Sequence, residues 1–218
     1  MPRSVRPGVI VAGVDGCRGG WAVALADAES ILEIRVVPTF ADVVALRCDA
    51  VAVDMPIGLP DRGPRACDVE ARRRLGPRRS SVFPTPLRPM LATTTYAEAS
   101  AIAGLSKQAF HLLPKIREVD AVMTPRRQRT IVEVHPELCS AALLGAPCQA
   151  PKRTTEGRAE RLAVVDVTID RPPTGAAWDD VLDACALVHT VRRLVQGAVE
   201  RLGDGIRDAR GLRCEIVL

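Results

Sequence analysis

The chain has 218 residues and is 47% hydrophobic, enough to bury one good core, so the economical expectation is a single decorated domain spanning residues 1–218. Its net charge is +4, yet only 3% of its residues are aromatic, which argues against a nucleic-acid platform built from several stacked rings. Seven scattered cysteines without a C-x-x-C pair fit reduced thiols. No apolar run approaches the roughly eighteen residues of a membrane span, and no long apolar stretch opens the chain. The expected location is cytoplasmic, with no membrane partner.

Val9 to Val14 reads as a buried strand, Gly16, Gly19 and Gly20 as a turn, and Trp21 to Leu25 as the returning strand of a hairpin. Leu32 to Val37 supplies a third strand. Thr39 caps a short helix through Arg47, and Ala50 to Asp54 returns as a fourth strand. Ala66 to Leu75 is helical. Residues 76–95 hold four prolines and read as a long irregular loop, mobile or ordered by a ligand. Ser106 caps a helix through about Met123 that Pro114 should kink, Thr130 to Val134 is a fifth strand, and Pro136 opens a helix ending near Gly145. Thr155 caps a further helix with Arg158 and Arg161 exposed, Trp178 to Leu202 is the longest helix, and Leu212 to Leu218 is a terminal edge strand. This order implies an α/β fold: a mixed five-stranded sheet with helices on both faces, of RNase H-like architecture, with a basic helical and loop insertion around 61–129.

Charge is unevenly placed. Residues 61–161 hold 18 Lys and Arg against 10 Asp and Glu, net +8, whereas the remainder holds 12 against 16, net −4. An acidic frame around a basic middle suits a metal on the first and a polyanion on the second. Asp15 and Asp54 each end an apolar run, where a carboxylate is costly unless a cation meets it, although Asp-Gly and Asp-Met-Pro also make ordinary turns. Asp180 and Asp183 continue the apolar stripe of Ala184, Leu187 and Val191 on the last helix, and their repulsion would change sign around a shared dication. Asp179 is placed to cap that helix. Glu133 and His135 fall on one face of the fifth strand, so Glu133 is a further ligand or base if that face is the rim of a site. The histidines lack zinc spacing, and Cys17, beside Arg18, reads as a small turn residue.

Six ordered blocks, Gly13-Val14-Asp15-Gly16-Cys17-Arg18-Gly19-Gly20-Trp21, Ala52 to Pro60, Arg79-Ser80-Ser81-Val82-Phe83-Pro84, Gly104 to Phe110, Glu133-Val134-His135-Pro136-Glu137 and Asp179-Asp180-Val181-Leu182-Asp183-Ala184, resemble the signature of a predicted RNase H-like nuclease family, domain of unknown function 429. The resemblance implies acids on the first strand, at the end of the fourth and on the last helix holding two Mg²⁺ or Mn²⁺ ions. By position these are Asp15, Asp54, Asp180 and Asp183, with Glu133 completing the reach of the short Asp54. It implies hydrolysis of nucleic-acid phosphodiesters, with Arg78, Arg79, Ser80, Ser81 and Lys107 neutralising phosphates. Two alternatives stand beside it: a non-catalytic nucleic-acid-binding module, and an actin-like or sugar-kinase-like nucleotide binder gripping phosphates with Asp15 to Gly20. The type of nucleic acid is left open.

Overall fold

A computed structural model describes residues 8–218 apart from 153, 166 and 168. Strands β1 (Val11–Cys17) and β2 (Gly20–Ala26) form the expected antiparallel hairpin. Its turn comes later than the glycines suggest. Gly20 takes a φ of 133°, and a Cβ there would lie 2.1 Å from the Val37 carbonyl oxygen, so only glycine fits. Asp15 therefore lies inside β1, opposite Ala22, rather than beyond its end.

Strand β3 (Ile31–Val37) pairs with β2, and α1 (Phe40–Ala45) starts on a capping box between Thr39 and Asp42. Strand β4 (Ala50–Val53) runs parallel to β1, and β5 (Ile131–Glu133) parallel to β4. The sheet order is thus β3-β2-β1-β4-β5, the mixed RNase H-like arrangement. Between β4 and β5 come α2 (Ala66–Leu75), 3-10 turns at Gly76–Ser81 and Arg88–Ala92, α3 (Tyr96–Ile102), and α4 (Lys107–Val122), which Ser106 caps. After β5 follow α5 (Pro136–Leu144), α6 (Thr155–Val165) and α7 (Trp178–Gln196). Instead of a terminal edge strand on the main sheet, β6 (Arg201–Leu202) and β7 (Ile216–Val217) pair with each other in a separate ribbon.

The two sheet faces differ in side-chain size. Trp21, Val14, Val23, Val51 and Val53 point to one face and pack with Phe40 and Val43 of α1 and with Ile116 and Val119 of α4. Hence α4, inside the stretch read as an insertion, supplies core. The opposite face presents Gly13, Ala22, Ala24, Ala50 and Ala52 to α7. With so little side chain in the way, α7 comes close: a Cβ on Gly13 would sit 2.0 Å from the Ala184 carbonyl oxygen and 3.1 Å from the Leu187 Cβ.

Two other expectations are corrected, and one helix is added. The 76–95 stretch is less irregular than expected, since it contains two 3-10 turns and is braced by arginines: Arg72 donates to the Val82 carbonyl, and Arg117 Nε to that of Leu91 at 2.7 Å. Helix α3, unforeseen, starts on a Thr95–Glu98 capping box. Arg161 is buried, because its guanidinium meets a carboxylate, rather than exposed. Among the described residues no helix is long and apolar enough to cross a membrane, and all seven cysteines are unpaired.

Gly13→Ala is expected to push α7 off the sheet and destabilise the fold by about 1–3 kcal/mol or more, read from the midpoint of urea unfolding.

Candidate active site

Alternation along the strands decides which acids meet. Asp15 lies two residues past Gly13 and Asp54 two past Ala52, so both share the face that α7 covers. Val14 pairs with Val53, and the Asp54 amide donates to the Val14 carbonyl at 3.0 Å, so the two acids stand side by side, Asp15 within β1 and Asp54 just past the end of the parallel β4. Asp183 precedes Ala184, the residue lying on Gly13, and so comes down beside them.

Their mutual field is plain in their ionisation. Asp15 is held well above the usual carboxylate range by burial, then by the charges of Asp54, Asp183 and Asp180, with only Lys152 opposing. Burial raises Asp54 to about 6 against the relief given by Lys152, and it likewise raises Asp183 to about 6. Asp180 stands at the margin. Its Oδ2 accepts from the Ala177 amide at 2.8 Å as a reach-back cap, and burial raises it too. The cap is therefore Asp180 rather than Asp179, which already lies within the first turn.

Glu133 does not join them, a correction that the sheet register explains. It pairs with Val53, so it points to the opposite face from Asp54, while its neighbours Val132 and Val134 face α7. There Arg65 holds both its oxygens, Nη2 to Oε1 at 2.6 Å and Nη1 to Oε2 at 2.7 Å, and the Ile57 amide donates to Oε2 at 2.7 Å. Asp68 completes this buried triad through Arg65 Nη2 at 2.6 Å. Burial raises Glu133 to about 7 despite the guanidinium.

The expected phosphate-binding residues also separate. Arg78 reaches the acid pocket's border, with Nη2 3.5 Å from Glu137 Oε1. Ser81 is beside it, its hydroxyl donating to the Arg78 carbonyl at 2.9 Å and its carbonyl 3.3 Å from His135 Nε2. Arg79 and Ser80 are exposed on the same 3-10 turn. Lys107 is exposed at the start of α4, about 12 Å along the helix from Lys115, and contacts none of the acids.

Three residues of this neighbourhood escaped the sequence reading. Lys152 sets Nζ 2.5 Å from both oxygens of Asp183, Glu137 is buried at 2% exposure, and Arg161 Nη2 binds Glu137 Oε1 at 2.6 Å. Glu137 lies in the Glu133–Glu137 block that carries the family resemblance. Lys152 sits in a loop whose path no local pattern specifies. In the glycine turn the Gly16 amide donates to Asp15 Oδ1 at 2.7 Å and the Gly19 amide to the Gly175 carbonyl at 2.8 Å, so these two amides are engaged within the protein. Cys17 is buried, and burial raises its thiol.

Among the described residues no three His, Cys, Asp or Glu side chains converge closely enough to hold a metal ion as they stand. The donor chemistry nevertheless suits one: Asp15, Asp54 and Asp183 are all hard oxygen donors, mutually repelling and met by a single ammonium.

Sheet order and acid-lined edge define an α/β protein of RNase H-like fold. The chain belongs to the family described as "Protein of unknown function (DUF429)", whose model matches residues 13–207. Two solved structures are similar to it. "T. thermophilus RuvC in complex with Holliday junction substrate" has 13% identity and a TM-score of 0.36, over 87% of this chain and 95% of that one. "Thermus thermophilus RuvC structure" has 14% identity and a TM-score of 0.37, over 87% and 98%. No curated protein matches the chain.

Two outcomes are expected. The folded state keeps protons on Asp54 and Asp183 up to about pH 6, whereas the unfolded chain releases them near 3.8. These two acids thus bind more protons in the folded state in that window, and their contribution to the stability of the metal-free protein falls as pH rises from about 4 to about 6, checked by the difference in melting temperature between the parent and Asp54→Asn across that range. Arg65→Met strands two buried carboxylates and costs about 3–5 kcal/mol in urea unfolding at pH 8.

Proposed function

We propose that this protein is a divalent-metal-dependent nuclease that hydrolyses nucleic-acid phosphodiesters at the edge formed by Asp15, Asp54 and Asp183. The observation that supports the reading most is the gathering of these three carboxylates on one sheet face, at an electrostatic cost that a folded protein has no packing reason to keep. Membership of a family with an RNase H-like sheet order is consistent with it.

Asp15, Asp54 and Asp183 would hold the ions, with Asp180 at the margin as a further oxygen donor. Divalent ions such as Mg²⁺ or Mn²⁺ held there would supply Lewis acidity for water activation and for charge at the leaving oxygen. The chain's own part is positional. Strands β1 and β4 fix two carboxylates in register, and the close seat of α7 fixes the third. Arg78, on the 3-10 turn beside the pocket, is 26% exposed and suited to a phosphate oxygen, while Arg79 and Ser80 extend the polar rim. No side chain need act as a nucleophile.

Purified protein is expected to cleave at least one of branched, duplex or single-stranded nucleic acid when Mn²⁺ or Mg²⁺ is added. Asp15→Asn should reduce that rate by more than about 100-fold, as removal of a group acting on developing charge does. Without metal the same variant should melt about 3 °C or more above the parent, because it removes a carboxylate opposed by burial and three like charges. Nucleic-acid binding with steep salt dependence, identical in the parent and Asp15→Asn and accompanied by no cleavage, would instead establish a non-catalytic binding module.

A further inference from the structure

Among the described residues, Lys152 is the cation paired with an acid of the pocket. Its Nζ lies 2.5 Å from both Asp183 oxygens and 4.0 Å from Glu137, and its charge opposes the burial cost of Asp15 and Asp54. The backbone that carries it is fixed. The amides of Gln149 and Ala150 donate to Glu160 at 2.9 and 3.1 Å, and Arg161 Nη1 donates to the Ala150 carbonyl at 3.2 Å. Arg161 also binds Glu137 Oε1 at 2.6 Å, tying α6 to α5 beneath the loop. A Cβ on Gly157 would lie 2.0 Å from the Pro151 carbonyl oxygen, so the residue before Lys152 is seated directly on α6. The lysine side chain is 24% exposed, and its flexible four-carbon stem lets the ammonium leave while the backbone stays.

From this geometry we propose that Lys152 is a tethered counter-ion competing with divalent metal for the same carboxylates, so that metal loading and the Lys152–Asp183 pair exclude each other. The inference rests on the metal reading of the acid pocket and deepens it with a built-in regulator of loading. Three carboxylates and one ammonium leave a residual negative charge that a dication is drawn to, yet the most buried of them, Asp183, is engaged on both oxygens. An ion entering that position must first displace Nζ. A charge with water on one side and a short pair on the other exchanges more readily than one sealed inside, as Arg65 is at 1% side-chain exposure.

The test uses the full chain. Mn²⁺ is titrated calorimetrically into the parent, Lys152→Met and Lys152→Gln at fixed ionic strength, with circular dichroism confirming the fold. Removing the competitor is expected to tighten Mn²⁺ binding about tenfold or more in either folded variant. Binding detected only in a variant supports the proposal equally. Mn²⁺ affinity that is equal or weaker in the variants overturns it and leaves the metal reading standing. Mn²⁺ binding by none of the three overturns both. A parallel measurement needs no variant: the acetylation rate of Lys152 in the parent, followed by mass spectrometry, should rise several-fold with Mn²⁺, while exposed Lys107 is unchanged. Saturating Mn²⁺ with no change at Lys152 overturns the proposal.

Discussion

Everything at the site follows from how near α7 lies to the sheet. A helix normally packs on a sheet across a layer of branched side chains, but here Gly13, Ala22, Ala24, Ala50 and Ala52 leave that layer almost bare. Branched residues on the same strands are turned to the other face, where α1 and α4 need bulk to fill the space. Period-two alternation thus does two jobs with one sequence pattern: it draws the last helix down, and it continues as Asp15 and Asp54 two positions beyond the small residues. Asp183 is carried to them by the same contact that places the Ala184 carbonyl over Gly13.

The sheet also separates two charge systems that a list of acids would merge. On the α4 face, Glu133, Arg65 and Asp68 form a closed triad with short bonds to every carboxylate involved, a structural solution to buried charge. On the α7 face, Asp15, Asp54 and Asp183 remain under-compensated, their pKa values raised despite Lys152. Buried ion pairs seldom add net stability over apolar packing, but losing one partner is severe. The first system is therefore expected to lose stability on any single change, whereas the second is expected to gain it when Asp15, which among the described residues has no partner cation in contact, is neutralised.

Local patterns made much of this readable. The hairpin, the helix at 66–75, the Ser106 cap and the Pro136 start are each set by neighbours in sequence, and the structure keeps them. The acids of β1, β4 and α7 were legible because carboxylates interrupting apolar runs are conspicuous. What was not legible depended on register or on distant partners. Glu133 alternates with His135 in the manner of a rim residue, and only pairing with Val53 turns it to the other side. The Thr95–Glu98 capping box was a local signal for α3, obscured by the prolines before it. Arg161 resembles a solvated helix arginine until Glu137, 24 positions away, claims it. Lys152 offers no signal, since its position follows from the packing of α5 against α6.

The basic middle section takes on another meaning in three dimensions. Its charge suggests a broad polyanion surface, yet many of its arginines are turned inward as braces. Arg88 joins Asp120 and Asp208, Arg117 grips the Leu91 and Thr93 carbonyls, Arg72 holds the Arg79 and Val82 carbonyls, and Arg65 and Arg161 close buried pairs. The reason is compositional. A chain with three Phe, two Trp and one Tyr has few large rings to anchor proline-rich loops, and a planar five-donor guanidinium fastens loop carbonyls and carboxylates instead. Cations spent this way are unavailable to a ligand. Among the described residues, the positive charge that borders the acids includes Arg78 on one side and Lys152 in the pocket itself. On the proposed reading, electrostatic recognition at this site would be local, with an anion met by cations at short range rather than drawn by the net charge of the middle section.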